Sequence, residues 1–128
     1  MNNEHRARDW INFILERCQF PDVQALKNHL DKAVFTEFCQ CGCNSFKVLV
    51  PASTKGIAAP GKYGVFFEAN FNLVEKGKTL EILIFSGESG MIEYIEIDCC
   101  GNNFPVPEVV EVMGEPFHVS ASSALDSQ

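Results

Sequence analysis

Residues 63–74 read YGVFFEANFNLV, and their reading decides the fold. Tyr63, Val65, Phe67, Ala69, Phe71 and Leu73 fall on one side of an extended chain, and Gly64, Phe66, Glu68, Asn70 and Asn72 on the other. Alternation of this kind puts one face on a core and the other toward water or a partner. The stretch predicts a half-buried strand. Phe66 stands out of place on the polar side. It reads either as an aromatic anchor for a partner, because hot spots favour aromatics among polar neighbours, or as part of a second small core beneath residues 51–62.

Downstream, Glu75-Lys76-Gly77-Lys78 predicts a turn, Thr79–Phe85 a strand, Ser86–Gly90 a second turn and Met91–Cys99 a third strand. Three strands with short connections predict an antiparallel meander. The third breaks the alternation. Met91, Glu93, Ile95 and Ile97 share one side, and Ile92, Tyr94, Glu96 and Asp98 the other, so either a bulge switches the face or both faces are half buried. In PVPEVVEVMGEP (105–116) two prolines flank Val106, which excludes a central strand there. Residues 119–128 are small and polar and predict a frayed tail.

Upstream, residues 51–62, PASTKGIAAPGK, predict an exposed loop. Val34–Cys39 and Phe46–Val50 predict two strands, joined by a compact turn that Gly42 and Asn44 permit. Ala7, Trp10, Ile11, Ile14 and Cys18 recur at helical spacing over residues 4–18. Pro21 punctuates, and Asp22 is placed to cap a second helix over Val23–Ala33 with Leu26 and Leu30 on its buried side. Helices first and strands after predict an α+β fold: an N-terminal helical pair packed on an antiparallel meander, in a single domain over residues 1–128.

The 128 residues carry 17 acidic against 10 basic side chains, a formal net charge of -7. That argues against nucleic acid as a direct partner, since phosphate contact needs clustered Lys and Arg. It permits steering toward a basic partner, and equally serves plain solubility. No stretch approaches the ~20 apolar residues of a membrane span. The polar N-terminus does not resemble a signal peptide, so the expectation is a cytoplasmic chain whose six cysteines are reduced thiols.

The densest chemistry is CQCGC at 39–43. Structural zinc takes four tetrahedral ligands, often as C-x₂₋₄-C pairs. On an extended chain Cys39, Cys41 and Cys43 would hold neighbouring Cβ atoms roughly 7 Å apart, too far to share an ion unless Gly42 bends the backbone. Cys99 or Cys100 would then close the set. The alternatives are redox pairing between this turn and Cys99 or Cys100, and plain packing as small, partly buried residues. His5, His29 and His118 lack partners at motif spacing, and His29 reads as a helix-surface or boundary residue. Glu81, Glu88, Glu93, Glu96 and Asp98 form an acidic cluster, either a hydrolytic or metal-binding group or a solvated face. KGKT at 76–79 lacks the upstream glycine of a phosphate loop. With no catalytic signature, the expectation is a protein that is not an enzyme.

LERCQFPDVQALKNHL (15–30), CQCGCNSFKVLV (39–50) and SGMIEYIEI (89–97) occur in an order and spacing that resembles a set of small bacterial proteins sharing a Cys-x-Cys-Gly-Cys segment. The likeness spans residues 11–108, with Asn44 where Pro is commoner. In size and acidity that set is similar to the immunity proteins of bacterial toxin systems, including contact-dependent growth inhibition. The resemblance implies a cytoplasmic antidote that binds the C-terminal domain of a cognate toxin, a basic nuclease, without a cofactor. The surface expected to meet it is the polar side of the first long strand (Phe66, Glu68, Asn70, Asn72) with the acidic hairpin (Glu81, Glu88, Glu93, Glu96, Asp98). The other reading is a small zinc-binding or regulatory protein using Cys39, Cys41 and Cys43 with Cys99 or Cys100.

Overall fold

A computed structural model describes residues 2–59 and 64–122; Tyr63 and most of the predicted tail lie outside them. The fold is α+β. Its elements run α1 (Glu4–Arg17), α2 (Val23–His29), β1 (Val34–Thr36), β2 (Phe46–Leu49), β3 (Gly64–Asn72), β4 (Thr79–Ser86), β5 (Ile92–Cys99) and β6 (His118–Ala121). The strands form one antiparallel sheet in the order β1-β2-β5-β4-β3-β6.

Each helix starts on a side-chain cap. Asn3 accepts the Arg6 N–H, and Asp22 accepts the Ala25 N–H as expected. α1 buries Ala7, Trp10 and Ile14, and its apolar stripe docks through edge-on rings. Phe13 stands 5.4 Å from Trp10 and 5.2 Å from Phe71 of β3. α2 is shorter than its periodicity suggests. After His29 the chain tightens into successive turns, Asp31 N–H to Asn28 O and Ala33 N–H to Leu30 O, and passes directly into β1.

The helix-facing side of the sheet is a continuous apolar layer. Phe67–Ile84–Ile95–Phe46 and Ala69–Ile82–Ile97 are cross-strand rows, all at 0% exposure. Each Ile or Phe side chain there contributes about 1.5–3 kcal/mol of burial. Two bulges set which residues join it. Register shifts between Val65 and Phe67, so Val65 turns out to 47% exposure while Phe66 turns in to 5%. Phe66 lies 6.4 Å from the Phe20 ring, in the same buried cluster as Ile57 and Ala58. It is therefore a core residue and not an exposed anchor. On β5, Ser86 pairs Ile92 and Phe85 pairs Tyr94, leaving Glu93 as the extra residue. That bulge carries Ile92 into the core, which resolves the broken alternation.

Two predicted irregular segments are more ordered than expected. Residues 118–121 form β6 on the edge of β3, pairing Ala69 with Val119. The segment after Val50 crosses the hairpin tip, where Ile57 and Ala58 both donate to the Gly90 carbonyl at 2.8 and 3.0 Å and are themselves buried. Gly90 has φ +83, and a Cβ there would collide with the Ala58 carbonyl oxygen. His29, expected at a surface or boundary, is 3% exposed beneath this crossing. Among the described residues no helix is long and apolar enough to cross a membrane.

Candidate functional site

The sheet face turned away from the helices carries three cross-strand rows. The first is Val65–Phe85–Tyr94–Lys47–Thr36. The second is Ser120–Glu68–Leu83–Glu96, and the third His118–Asn70–Glu81–Asp98. The predicted residues Glu68, Asn70, Glu81, Glu96 and Asp98 thus share one face, with Asn72 on the row beyond. Phe66 is absent from it. Glu88 and Glu93 sit apart, at the β4–β5 hairpin end, where with Gly64, Phe85 and Tyr94 they line an open depression of about 720 Å³.

The rows hold four carboxylates against one lysine, Lys47, whose Nζ lies 3.6 Å from Glu37. The carboxylates are not equivalent. Glu81 accepts the Gly101 N–H at 2.6 Å, and Glu68 accepts from the Asn70 amide at 3.0 Å. Asp98 is 9% exposed. Burial first, then the hydrogen bond and charge of Glu96, push its carboxyl up to about 7. Near neutral pH Asp98 is a half-protonated acid, and the face is less negative than a count of carboxylates implies.

Sequence reasoning missed the apolar half of this surface. Leu83 and Phe85 point outward, and Phe85 packs edge-on to Tyr94 at 5.9 Å. The signal was present in LEILIF at 80–85, where apolar residues occupy both faces of one strand.

A second feature lies in the turn between β1 and β2. Cys39 N–H closes it onto Ser45 O at 2.9 Å, and Gly42 bends it with φ +117, packed against Pro105. The bend overcomes the spacing expected of an extended chain. The sulfurs of Cys39 and Cys41 are 2.7 Å apart, those of Cys41 and Cys43 3.5 Å, and all three lie within 4.8 Å of one another. This cluster has the donors to hold a metal ion. Among the described residues no other cysteine, histidine or carboxylate joins it. Cys99 and Cys100 instead pair with each other at 3.9 Å, at the end of β5 beside Thr79. The Cys41 thiol is lowered to about 7, chiefly by the hydrogen bond from Cys39 and then by the Cys43 backbone N–H. That same Cys41 bond raises Cys39 to about 12. Of Cys39 and Cys41, the exposed Cys41 is therefore the more readily ionised near neutral pH.

A third place is the cavity of about 610 Å³ between α2 and the 51–59 segment, lined by Phe20, Asp22, Asn28, His29, Lys55 and Ile57. Its one histidine is committed: Nδ1 lies 2.9 Å from the Lys55 carbonyl, and Nε2 accepts the Ile92 N–H at 3.0 Å. Both ring nitrogens are spent on structure, which leaves none for acid–base work.

No protein-family model, curated protein or solved structure matches the chain.

Proposed function

We propose that this chain is an immunity protein: a cytoplasmic, noncatalytic antidote that binds a toxin domain with a basic substrate cleft. The observation that carries the reading is the make-up of the outer face of β3, β4 and β5, the side turned away from the helices. An apolar strip of Val65, Leu83, Phe85 and Tyr94 there lies beside Glu68, Glu81 and Glu96. Apolar side chains flanked by charge suit a protein partner, the strip supplying burial and the carboxylates steering and register. Glu88 and Glu93 extend the negative rim at the hairpin end.

The test is co-expression with the toxin domain encoded beside this chain's gene. The expected result is rescue of growth by the wild-type chain and loss of rescue by Leu83→Arg with Tyr94→Arg. Association should slow as ionic strength rises. Rescue by the double variant, or an association rate indifferent to salt, would overturn the proposal.

A second reading is favoured by the gathering of Cys39, Cys41 and Cys43: a small cysteine-based zinc-binding or regulatory protein. In that reading Cys99 and Cys100 serve elsewhere.

A further inference from the structure

Three thiols close together do not by themselves define a binding site. The surroundings here add two features that do. A small cavity of about 190 Å³ opens against the cluster, and Cys39 and Cys43 line it together with Asn2, Arg6 and Asn44. Asn2 is 6% exposed, and its Oδ1 is buried without a hydrogen-bond partner among the described residues. The amide is not free to turn that oxygen away. Its Nδ2 donates to both Cys39 O at 3.1 Å and Ser45 O at 2.8 Å, which fixes the orientation. A buried acceptor held without a partner costs about 1–3 kcal/mol, and its residue lines the cavity together with Cys39 and Cys43.

We propose that Cys39, Cys41 and Cys43 bind one Zn²⁺ ion, with Asn2 Oδ1 completing the fourth position directly or through one water. The inference is independent of the immunity reading and rests on the second reading, to which it gives atoms. Zinc–sulfur bonds of about 2.3 Å place the sulfurs of a tetrahedral site roughly 3.8 Å apart. The sulfurs, 2.7 and 3.5 Å apart in the two adjacent pairs and all within 4.8 Å of one another, bracket that value. Loading releases the thiol protons to solvent as the three thiolates form. Three thiolates and a divalent cation leave one excess negative charge. Arg6 and Glu108 line the same cavity with opposite charges, and Arg6 donates to Asn44 Oδ1 at 2.7 Å. Zinc is the ion proposed because three thiolates and one oxygen make a four-ligand tetrahedral set, the geometry of zinc sites.

The reduced full-length chain, stripped with a chelator, is titrated with Zn²⁺ against a chromophoric competitor, and with Co²⁺ as a spectroscopic substitute. The expected result is one ion per chain and a thiolate-to-cobalt charge-transfer band with tetrahedral intensities. Cys41→Ser abolishes both; Cys41 is exposed, so the variant is expected to fold, and its unfolding midpoint checks this. Cys100→Ser leaves both unchanged. Asn2→Ala weakens zinc by about tenfold, the low end for loss of an outer contact. No stoichiometric zinc, zinc retained by Cys41→Ser, or binding of Cu⁺ alone would overturn the site. Unchanged affinity in Asn2→Ala would overturn the part given to Asn2. A chain that takes up one zinc in titration but leaves the cell without it supports the site and overturns the zinc-cofactor reading.

Discussion

The Nε2 of His29 accepts the backbone N–H of Ile92 at 3.0 Å, across 63 positions of sequence. The opposite nitrogen, Nδ1, carries the ring proton and gives it to the Lys55 carbonyl at 2.9 Å. One neutral imidazole therefore ties α2, the 51–59 segment and the start of β5 together. Burial lowers its pKa from the ordinary 6.5, against the smaller opposing effect of the Lys55 bond.

Acid should loosen this tie. The folded chain resists protonating His29 while the unfolded chain does not. Its contribution to stability is thus full above about pH 6.5 and declines as pH falls below that value. His29→Leu orphans the Ile92 N–H and should cost about 1–3 kcal/mol. Urea unfolding of both chains at pH 7.5 and 5.5 checks each part: the variant should be weaker at the higher pH and lack the acid-dependent loss.

Asp98 should act with the opposite sign. Its carboxyl is raised from 3.8 to about 7, so between those values the folded chain holds a proton that the unfolded chain has lost. The contribution is full below about pH 3.8 and disappears as pH rises through about 7. Asp98→Asn should flatten this slope, measured as the difference in unfolding midpoint between variant and wild type across pH 4–8. An unchanged slope would mean that burial and Glu96 do not raise the Asp98 carboxyl.

Adjacent residues at the β3 bulge should differ sharply. Phe66→Ala, at 5% exposure, should cost about 3–5 kcal/mol. Val65→Ala, at 47% exposure, should stay within about 0.5 kcal/mol. Denaturant unfolding compares them, and similar costs would contradict the bulge.

Removing residues 115–128 should expose the β3 edge. The bonds from Phe117 N–H to Asn70 O and from Ser122 N–H to Phe66 O disappear, and Val119 leaves the core. An uncovered nine-residue edge strand is a template for pairing with other chains. The shortened chain should self-associate in size-exclusion chromatography with light scattering; a stable monomer would show that β6 is dispensable.

Glu88→Lys with Glu93→Lys should leave unfolding within about 0.5 kcal/mol of wild type, because both side chains are exposed at the β4–β5 hairpin end. If the immunity proposal holds, association with the basic toxin domain should slow by about tenfold or more at low salt. Stopped-flow mixing at two ionic strengths measures it.

The strongly periodic parts of this fold were legible from residue order. The α1 stripe, the Asp22 cap and the β3–β4–β5 meander follow from patterning that the tertiary structure reinforces. What escaped depends on long-range partners. Phe66 and Val65 exchange sides because an extra residue is inserted opposite β4, and nothing local to YGVFF marks that insertion. His118–Ala121 has weak strand character of its own and is ordered by the free edge of β3. The acidic surface was legible as a list of residues but not as an electrostatic object, because the raised carboxyl of Asp98 depends on burial. The sulfur cluster hinged on one backbone angle: Gly42 was recognisable as a possible bend, and only its φ of +117 decides that the thiols meet.

The crossing at Gly90 bears on how this chain can diverge. Its carbonyl receives two amides from a segment more than thirty positions earlier, and the crossing leaves no room for a methyl group. Any descendant that acquires a side chain there must also rebuild the 51–59 segment, and any insertion in that segment must still deliver two consecutive amides to the same oxygen. The two regions are bound to be inherited as one unit. A glycine in a late hairpin, accompanied by an Ile-Ala pair at fixed distance before the first long strand, is a signature by which distant kin could be recognised after the cysteines and the carboxylates have changed.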